Sequence, residues 1–341
     1  MKAMVLEKVV NVSREIPLKQ LDIPVPEPQE NQVLIKVSAC GVCRTDLDEI
    51  EGRTLPSSFP IIPGHQVVGR VVKRGKSVKK FKEGERVGVG WIFSSCGKCR
   101  YCVSGDENLC DNFVATGRDA NGGYAEFMVA YEDFIYKIPE FFADAEAAPL
   151  LCAGAIGWRS LRLAKIENDK TVALYGFGAS GHIVIQIVRC LYPDSDIFVF
   201  TRSKSEQDLA FKLGARWAGE ITQQPPEPFD IAIDTTPVWI SVLAALKNLR
   251  KGGMLVINAI RKENRDVEQM KSIEYEKHLW MEKQIKSVAN VTRRDIAEFL
   301  QIAAKIPVKP EVVKYPLSEA NNAVVDLKNG KIPGAKVLIP D

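Results

Sequence analysis

The sequence lacks any apolar run that approaches the roughly 20 residues needed to cross a bilayer, so it predicts no transmembrane helix. Its net charge of +3 is too small to indicate binding to nucleic acid or to an anionic membrane. It has no internal repeat, no low-complexity segment and no apolar h-region of a secretory signal at its N-terminus. These absences favour a cytoplasmic protein that binds a small molecule, and neither nucleic acid nor membrane.

Length and composition are those of an ordinary globular protein. Hydrophobic residues make up 46% and charged residues 26% of a chain of 341 residues, which is long enough for two domains. Residues 1–153 contain short β-branched and aromatic runs separated by Gly and Pro, which predicts a β-rich domain. Over residues 154–289 strand and helix patterns alternate, which predicts an α/β doubly wound parallel sheet. We expect residues 290–341 to return to the first domain.

A cluster of cysteines is the strongest local pattern, and it consists of Cys96, Cys99, Cys102 and Cys110. Thiolates at this spacing can close a tetrahedral shell around one zinc ion. The alternatives are an iron–sulfur cluster, a disulfide pair or cysteines that only pack, and the pattern favours zinc. Because four cysteines leave no open position for a substrate, we expect this metal to be structural.

A glycine-rich motif, GFGASG, lies between a predicted strand and a predicted helix. It matches GxGxxG, in which glycines let the backbone approach a pyrophosphate at the start of a helix. The alternative is an incidental tight turn, and the strand–helix context favours dinucleotide binding. The candidate cofactor-binding residues are Gly176, Gly178, Ala179, Ser180 and Gly181 in the motif, with Thr235 and Asn258 farther along the same domain.

The residues at the end of the predicted strand after the glycine-rich motif indicate whether NAD or NADP is bound, because they lie at the adenosine ribose of the cofactor. An acidic residue there would accept hydrogen bonds from the 2′-hydroxyl of NAD and repel the 2′-phosphate of NADP. This chain has Thr201, Arg202 and Ser203 instead. The missing carboxylate and the available guanidinium favour NADP(H) over NAD(H). The alternative for Arg202 is a solvated strand end.

Three more candidate metal ligands, Cys43, His65 and Cys152, lie in glycine-bearing turns outside the four-cysteine cluster. Their residue types suit a catalytic zinc, which needs imidazole or thiolate ligands and one open position. Spacing alone does not show that they converge.

The other histidines and cysteines have plainer interpretations. We expect His182 to be structural and His278 to face solvent. Cys40 forms a CxxC pair with Cys43, but we interpret Cys40 and Cys190 as core residues.

Seven short motifs then follow one another in a characteristic order: GVCRTDL, PGH, CGKCRYC, ENLC, GGYAEF, PLLCAG and GFGASG. In this order and spacing the sequence resembles the zinc-dependent medium-chain alcohol dehydrogenases over essentially its whole length. The resemblance implies a GroES-like catalytic domain with two zinc sites and a Rossmann domain that carries a nicotinamide cofactor.

The resemblance also implies roles for individual residues. It implies that the ligands of the catalytic zinc are Cys43, His65 and Cys152. Arg44 matches a contact to the cofactor pyrophosphate, and Thr45 matches the hydroxyl that passes on the alcohol proton. Asp46 matches the carboxylate that orients the zinc-bound histidine.

Three positions depart from the common family pattern. Gln66 stands where Glu usually follows the histidine ligand, so a carboxylate from that position is missing. Ile156 replaces a Thr that faces the nicotinamide. Asp48 stands where the proton relay often ends in histidine, and we expect it to be a solvent-facing end point or no relay member at all.

The sequence therefore predicts a zinc-dependent alcohol dehydrogenase with two zinc ions per chain and NADP(H) favoured, assembled as a homo-oligomer (dimer or tetramer). The alternatives are a polyol or sugar-alcohol dehydrogenase of the same fold, a non-catalytic zinc and nucleotide-binding protein, or a zinc-free quinone reductase relative. Trp91 and Phe93 are candidate substrate-pocket residues, and their aromatic rings argue against polyhydroxylated substrates. The complete ligand set and Thr45 argue against the two zinc-poor alternatives.

Overall fold

The computed structural model describes residues 1–306, 308–330 and 334–340, which form two compact units. Unit 1 comprises Met1–Ala155, Val291–Ala304 and Pro310–Asp341, and unit 2 comprises Ile156–Asn290 and Lys305–Lys309. The sequence assigned all of residues 290–341 to the first domain, whereas Lys305–Lys309 groups with unit 2. The physical reason is that the amide of Gln186, in unit 2, bonds the backbone N–H and C=O of Lys309 at 2.8 and 3.2 Å.

The strands are, in chain order, β1 Lys2–Val5, β2 Lys19–Asp22, β3 Gln32–Val42, β4 Gln66–Arg74, β5 Arg86–Val89, β6 Ile92–Ser94, β7 Val114–Ala115, β8 Phe127–Tyr131, β9 Ile135–Lys137, β10 Val172–Tyr175, β11 Ile197–Phe200, β12 Trp217–Gly219, β13 Phe229–Asp234, β14 Leu249–Ile257, β15 Gln284–Ser287, β16 Val312–Pro316 and β17 Ala335–Ile339.

The α-helices are α1 Arg44–Ile50, α2 Arg100–Ser104, α3 Asp144–Ala147, α4 Ala153–Leu163, α5 Ala179–Leu191, α6 Lys204–Lys212, α7 Ile240–Asn248, α8 Tyr275–His278, α9 Arg293–Ala303 and α10 Ala320–Asn329. Short 3₁₀ segments cover Glu107–Leu109, Glu132–Phe134, Ala148–Leu151, Asn264–Ser272 and Leu317–Glu319.

Unit 1 is built around the long strand β3. Its sheet has the order β16-β17-β3-β4-β5-β9, and β8 also pairs with β3. Strand β3 is buried along almost all of its length, which agrees with its nearly continuous apolar sequence. Its antiparallel register with β4 pairs Gly41 with Gln66. This pairing brings Cys43, just beyond β3, and His65, just before β4, to the same end of the sheet.

Unit 2 contains a six-stranded sheet of order β12-β11-β10-β13-β14-β15, and all of its strand pairs are parallel. This confirms the predicted doubly wound parallel sheet. Strand order reverses beside β10, and the carboxyl ends of β10 and β13 at such a switch point form the usual binding crevice. The sheet packs through aromatic side chains, with Tyr175 stacked on Phe200 at 4.2 Å between ring centroids.

The expected burial of the remaining histidines and cysteines is confirmed for two residues and wrong for two others. His182 and Cys40 are buried, as expected. The expectation for His278 is wrong, because this residue is only 7% exposed and its Nδ1 accepts a hydrogen bond from the backbone N–H of Glu274 at 3.0 Å. Cys190 was expected in the core but is exposed near the end of α5. Among the described ranges, no helix combines the length and apolar character required to span a membrane.

Candidate active site and metal centres

Three side chains from separate segments of unit 1 converge. Cys43 lies between β3 and α1, His65 lies just before β4, and Cys152 lies just before α4. One ligand atom from each residue lies within 4.8 Å of the other two. The pairing of β3 with β4 explains the proximity of Cys43 to His65, whereas chain spacing gave no indication that Cys152 joins them.

The cluster fits a metal ion, and His65 provides the clearest sign. The residue is fully buried, its Nδ1 lies 3.0 Å from Asp46 Oδ1, and its Nε2 is buried with no hydrogen-bond partner among the described atoms. A histidine that donates Nδ1–H to a carboxylate leaves its Nε2 lone pair free to bind a metal. Two cysteine sulfurs and one imidazole nitrogen form a donor set that zinc takes in catalytic sites with an open fourth position.

The two thiols of this cluster are not equivalent. A hydrogen bond from Cys152, with a further contribution from His65, holds the pKa of Cys43 well below its usual value of 9.0 in spite of burial. The same hydrogen bond, together with burial, raises the pKa of Cys152. The thiolate is the form of cysteine that binds metals, and Cys43 is therefore prepared for that role.

Asp46 is the buried carboxylate that holds this region together. It accepts hydrogen bonds from the backbone N–H of Cys43 at 2.7 Å and from the Tyr124 hydroxyl at 3.1 Å, in addition to its contact with His65. It sits in the first turn of α1, where the helix dipole favours negative charge. Thr45 is buried one residue earlier in the same turn, and the Arg44 side chain remains 39% exposed.

Of the two expectations for Asp48, the solvent-facing position is wrong, and the absence of Asp48 from the proton relay stays a prediction. Its side chain is 3% exposed and forms ion pairs with Arg53 Nε at 2.6 Å and Arg44 Nε at 3.5 Å. Burial raises the pKa of Asp48 above its usual value, and the two arginines offset part of that effect. The structure thus presents Asp48 as a buried partner of arginines.

Glu49 is a buried acidic residue in α1, the helix that follows Cys43, and the sequence analysis did not consider it. It is 1% exposed; Trp91 Nε1 lies 3.5 Å from its Oε1, and its Oε2 is buried without a hydrogen-bond partner among the described atoms. Burial and the neighbouring Asp46 carboxylate raise the pKa of Glu49 well above its usual value. The sequence carried one usable signal: Glu49 follows Thr45 by four residues, so both lie on the same face of α1.

The two predicted substrate-pocket residues have different surroundings. Trp91 is buried, contacts Glu49, and packs on Phe113 with 4.8 Å between ring centroids. Phe93 is half-buried and packs edge-on against Tyr131 at 5.2 Å. Only Trp91 has a direct contact with a residue near the three candidate ligands.

The four-cysteine cluster also has the geometry of a metal site. The sulfur atoms of Cys96, Cys99, Cys102 and Cys110 all lie within 4.8 Å of one another, and all four are free thiols. Backbone N–H groups of Lys98 and Cys99 lower the pKa of Cys96 to about 6. Gly97 and Gly105 have φ of +71° and +81°, which makes the tight turns between these ligands possible. Four sulfur donors at this range suit a closed tetrahedral zinc shell.

A buried carboxylate joins the four-cysteine loop to the rest of unit 1. Glu107 accepts hydrogen bonds from Arg293 N and Nε at 2.7 and 3.0 Å, at the start of α9. Helix α9 packs so closely on the segment after Cys152 that a Cβ at Gly154 would lie 2.3 Å from Phe299. The loop therefore supports α9, and α9 supports the segment that carries Cys152.

The glycine-rich motif of unit 2 forms a turn at the switch point of the sheet. Gly176 ends β10 with φ of +87°, and a Cβ there would lie 2.5 Å from Thr235 Oγ1. A Cβ at Gly181 would lie 2.7 Å from the carbonyl oxygen of Gly176, whereas a Cβ at Gly178 would have no neighbour within 4 Å among the described residues. The space above Gly178 and the first amides of α5, which begins at Ala179 and Ser180, form a cradle that fits a pyrophosphate.

Two other predicted cofactor residues lie at the carboxyl edge of the same sheet. The Thr235 hydroxyl donates to the carbonyl of Tyr175 at 3.0 Å. Asn258 is buried after β14, and its Nδ2 has no hydrogen-bond partner among the described atoms. A buried donor without a partner at this edge is consistent with a ligand that the structure does not contain.

A carboxylate from the first turn of α6, Glu206, contacts the residue that follows β11, and the sequence analysis did not consider it. Thr201 Oγ1 donates a hydrogen bond to Glu206, and Ser203 Oγ caps α6 by accepting from Glu206 N at 3.4 Å. Arg202 is exposed and has no ion pair within the described part of the chain. A carboxylate and a guanidinium thus both lie at the predicted ribose position.

The known proteins that are similar to this chain are alcohol dehydrogenases, and the similarity extends over both units. The alcohol dehydrogenase GroES-like domain family matches residues 29–140. The chain is 41% identical over 328 residues to the probable alcohol dehydrogenase AdhA of Mycobacterium tuberculosis, covering 95% of this chain and 93% of that protein. It is 32% identical to an alcohol dehydrogenase of Geobacillus stearothermophilus, covering 93% of this chain and 94% of that protein.

Solved structures show the same fold. A cobalt- and zinc-bound thermostable alcohol dehydrogenase from Pyrobaculum aerophilum superposes with a TM-score of 0.88 at 23% identity, covering 100% of this chain and 99% of that chain. The chain belongs to the zinc-dependent medium-chain alcohol dehydrogenase family. It has the family's fold, a GroES-like domain combined with a Rossmann-type parallel sheet, and it is an oxidoreductase of the alcohol dehydrogenase type.

Proposed function

We propose that this chain is a zinc-dependent alcohol dehydrogenase that reversibly oxidises an alcohol to an aldehyde or ketone with NAD(P), with NADP(H) favoured. The convergence of Cys43, His65 and Cys152, with a buried and unpartnered His65 Nε2, is the observation that carries this proposal. A second, four-cysteine cluster supports a total of two zinc ions per chain.

Zinc bound at the three ligands would supply a Lewis acid for the alcohol oxygen, and the nicotinamide would accept the hydride. The protein's own part is to hold these groups and to move a proton. Asp46 fixes the ring of His65, and Thr45 carries the alcohol proton outward through its hydroxyl. The glycine turn of unit 2 binds the cofactor pyrophosphate, and Thr235 and Asn258 of the same unit contact the rest of the cofactor.

Two side chains with opposite charge set the choice between NADP(H) and NAD(H). Arg202 is exposed without an ion pair in the described ranges, so its guanidinium is available to a 2′-phosphate. Glu206, bonded to Thr201, would repel that phosphate and accept from a ribose hydroxyl. We propose that the effect of Arg202 is the larger one, so that NADP(H) is favoured, and that Glu206 reduces the preference for NADP(H) over NAD(H).

The substrate is, in this proposal, an alcohol with an apolar or aromatic body. The support is Trp91, whose buried ring lies next to Glu49 and near the candidate ligands. Phe93 stays a weaker pocket candidate because its ring packs on Tyr131.

We also propose a homo-oligomer, a dimer or a tetramer, located in the cytoplasm. The six-stranded sheet of unit 2 ends in β15, whose four side chains are all exposed. An exposed edge strand can pair with the same strand of a second copy. Light scattering of the purified protein measures the assembly, and a monomer at micromolar concentration would contradict this part of the proposal.

The function is tested by cofactor reduction over a panel of primary, secondary, aromatic and polyhydroxy alcohols. We expect turnover with apolar and aromatic alcohols, and its loss in His65→Ala with retained secondary structure. Turnover of polyhydroxy alcohols alone would favour the polyol dehydrogenase alternative. Equal activity in His65→Ala would contradict the proposed metal site.

A further inference from the structure

A buried ion pair lies at the carboxyl end of β13, in unit 2. The Lys262 side chain is 7% exposed and the Asp234 side chain is fully buried, with 2.5 Å between Lys262 Nζ and Asp234 Oδ2. The proposed reaction uses neither residue. Burying two charges is costly unless they are paired and hydrogen-bonded, so the groups around this pair indicate what it holds in place.

Lys262 is bonded to the backbone of residues 235–239, the loop that joins β13 to α7. Its Nζ donates hydrogen bonds to the carbonyl oxygens of Thr236 and Val238, both at 2.9 Å, in addition to its contact with Asp234. An ammonium group has three N–H donors, and here each donor has an acceptor. Because two of the acceptors are backbone carbonyls, the lysine fixes the path of the loop itself.

Asp234 holds the same loop from the end of β13. Its Oδ1 accepts hydrogen bonds from the backbone N–H and the hydroxyl of Thr236, at 2.9 and 2.8 Å. Its Oδ2 accepts from the hydroxyl of Ser241, in α7, at 2.8 Å. The carboxylate and the ammonium group together form a polar network that binds the loop at both of its ends.

The segment that follows β14 contacts the loop at two further points. The backbone N–H of Glu263 donates to the carbonyl oxygen of Pro237 at 2.7 Å. Asp266 Oδ2 accepts from the backbone N–H groups of Trp239 and Ile240 at 2.8 and 3.0 Å. The segment therefore follows the loop as far as the start of α7, and the loop has one well-defined conformation only while these contacts persist.

The loop adjoins the candidate cofactor-binding residues. Thr235, its first residue, donates its backbone N–H and its hydroxyl to the carbonyl oxygen of Tyr175, at 2.9 and 3.0 Å. The same hydroxyl oxygen would lie 2.5 Å from a Cβ at Gly176, the first glycine of the motif. On the neighbouring strand, the backbone N–H of Asn258 donates to the carbonyl oxygen of Asp234 at 2.8 Å. Thr235 and Asn258 are thus both connected directly to Asp234.

We propose that Lys262 is a positioning residue for the dinucleotide cofactor: with Asp234 it holds the 235–239 loop in the conformation that places Thr235 and Asn258 against the cofactor. This inference rests on the proposed function, because it requires a cofactor at the carboxyl edge of the sheet. Lys262 acts through the loop, since its ammonium group is engaged by three acceptors. A loop that is ordered before binding spares the cofactor the cost of ordering it.

The test is fluorescence titration of the purified, zinc-containing enzyme with NADPH and with NADH. Lys262→Met removes the ammonium group and keeps an apolar stem. If the loop then takes its binding-competent conformation about a tenth of the time, the apparent affinity falls about tenfold. We expect a loss of about that size for both cofactors, with little change in their ratio, because neither Arg202 nor Glu206 is altered. The KM of the cofactor should rise accordingly, with a much smaller change in kcat.

A second variant separates positioning from general stability. Lys262→Met leaves Asp234 buried without its cation, which is strongly destabilising and can prevent folding. The double variant Lys262→Met/Asp234→Asn removes both charges and should recover most of the thermal unfolding midpoint. It still leaves the carbonyls of Thr236 and Val238 without their donor. We therefore expect it to bind both cofactors about tenfold more weakly than the parent at a midpoint close to the parent's.

An ion pair at the opposite edge of the same sheet provides the matched control. Arg250 Nη1 lies 2.7 Å from Asp230 Oδ2, near the amino ends of β14 and β13. Ligands of open parallel sheets bind at the carboxyl ends of the strands. Arg250→Met should therefore leave the dissociation constants of NADPH and NADH unchanged, whatever its effect on the unfolding midpoint.

Unchanged dissociation constants in a folded Lys262→Met or in the double variant would overturn the inference and leave the proposed function intact. An equal weakening in Arg250→Met would also overturn it, because it would indicate general loosening of the sheet. A parent enzyme that binds neither NADPH nor NADH would instead contradict the proposed function itself.

Discussion

Arg53 Nε donates to Asp48 Oδ1 at 2.6 Å, and this contact buries a carboxylate at the position where the family's proton relay often has histidine. Asp48 is therefore engaged by a permanent cation and has no free path to bulk water through its own side chain. A carboxylate held in an ion pair is a poor acceptor for a second proton near neutral pH. If Thr45 passes on the proton of the alcohol, as proposed above, we expect that proton to continue by a route other than Asp48.

Asp48→Asn should accordingly lower alcohol oxidation by less than about tenfold, whereas Thr45→Ala should lower it by more than about a hundredfold, the usual range for loss of a proton-transfer group. The measurement is the pH profile of kcat/KM for both variants beside the parent. A collapse of activity in Asp48→Asn equal to that in Thr45→Ala would make Asp48 an obligatory base.

Cys99→Ser should chiefly weaken the fold. It removes one of four sulfur atoms from a closed cluster, and binding free energy at a structural zinc site is folding free energy. We expect a lower thermal unfolding midpoint and the loss of one zinc ion per chain, while His65→Ala leaves the fold largely intact. Because Glu107 ties this loop to α9, partial loss of activity should accompany the loss of stability in Cys99→Ser. An unchanged midpoint would show that the four cysteines hold no structural metal.

Cofactor preference should respond in opposite directions to two substitutions. A charge-assisted contact to a phosphate contributes about 1.5–3 kcal/mol, so Arg202→Ala should reduce the NADP-to-NAD ratio of kcat/KM by about tenfold or more. Glu206→Gln should raise the same ratio, because it removes a negative charge beside Thr201. Fluorescence titration with NADPH and NADH measures the binding part of the effect separately. A parent enzyme that uses NAD and NADP equally, with no change in Arg202→Ala, would show that Arg202 is only a solvated strand end.

The lowered pKa of Glu51 predicts that the free energy of unfolding depends on pH. Burial raises its pKa, but hydrogen bonds from Lys328 and Arg53 outweigh burial and hold the pKa below the usual value of 4.5. A carboxyl group whose pKa is lower in the folded state stabilises the fold above its unfolded pKa, and it loses that contribution as the pH falls through its folded pKa. Glu51→Gln should therefore lower the urea midpoint near neutral pH.

The difference between Glu51→Gln and the parent should shrink below about pH 4.5, where the parent carboxylate begins to bind protons. Tryptophan fluorescence during urea unfolding, at a series of pH values, measures both midpoints. A difference that stays constant down to about pH 3 would mean that the ion pairs with Lys328 and Arg53 do not stabilise the fold.

Much of the fold could be predicted from sequence pattern. The predicted alternation of strands and helices over residues 154–289 is confirmed by β10, α5, β11 and α6, which follow one another in the chain. Strands β12 and β15 are harder to predict, because they are short, lie at the edges of their sheet and have few buried side chains. Edge strands bury little, so they carry a weak hydrophobic period.

Some residues of the candidate sites could also be predicted from the sequence, and others could not. The four cysteines lie close in sequence, so their spacing alone indicated a cluster, whereas only the family resemblance indicated that Cys43, His65 and Cys152 converge. Glu49 and Glu206 were missed because the resemblance directs attention to motif positions. The pattern Ser203-x-x-Glu206 is a helix-capping motif that would have placed Glu206 beside the strand end.

The central claim is that two separate ligand sets hold two metals and that one of them supports catalysis. Elemental analysis of zinc per chain, combined with alcohol-dependent NADP reduction on the same preparations, tests it most directly. We expect two zinc ions in the active parent, and one zinc ion with no turnover in a folded His65→Ala. A fully active parent with one zinc ion, or a His65→Ala variant that keeps both zinc ions and its turnover, would contradict the account.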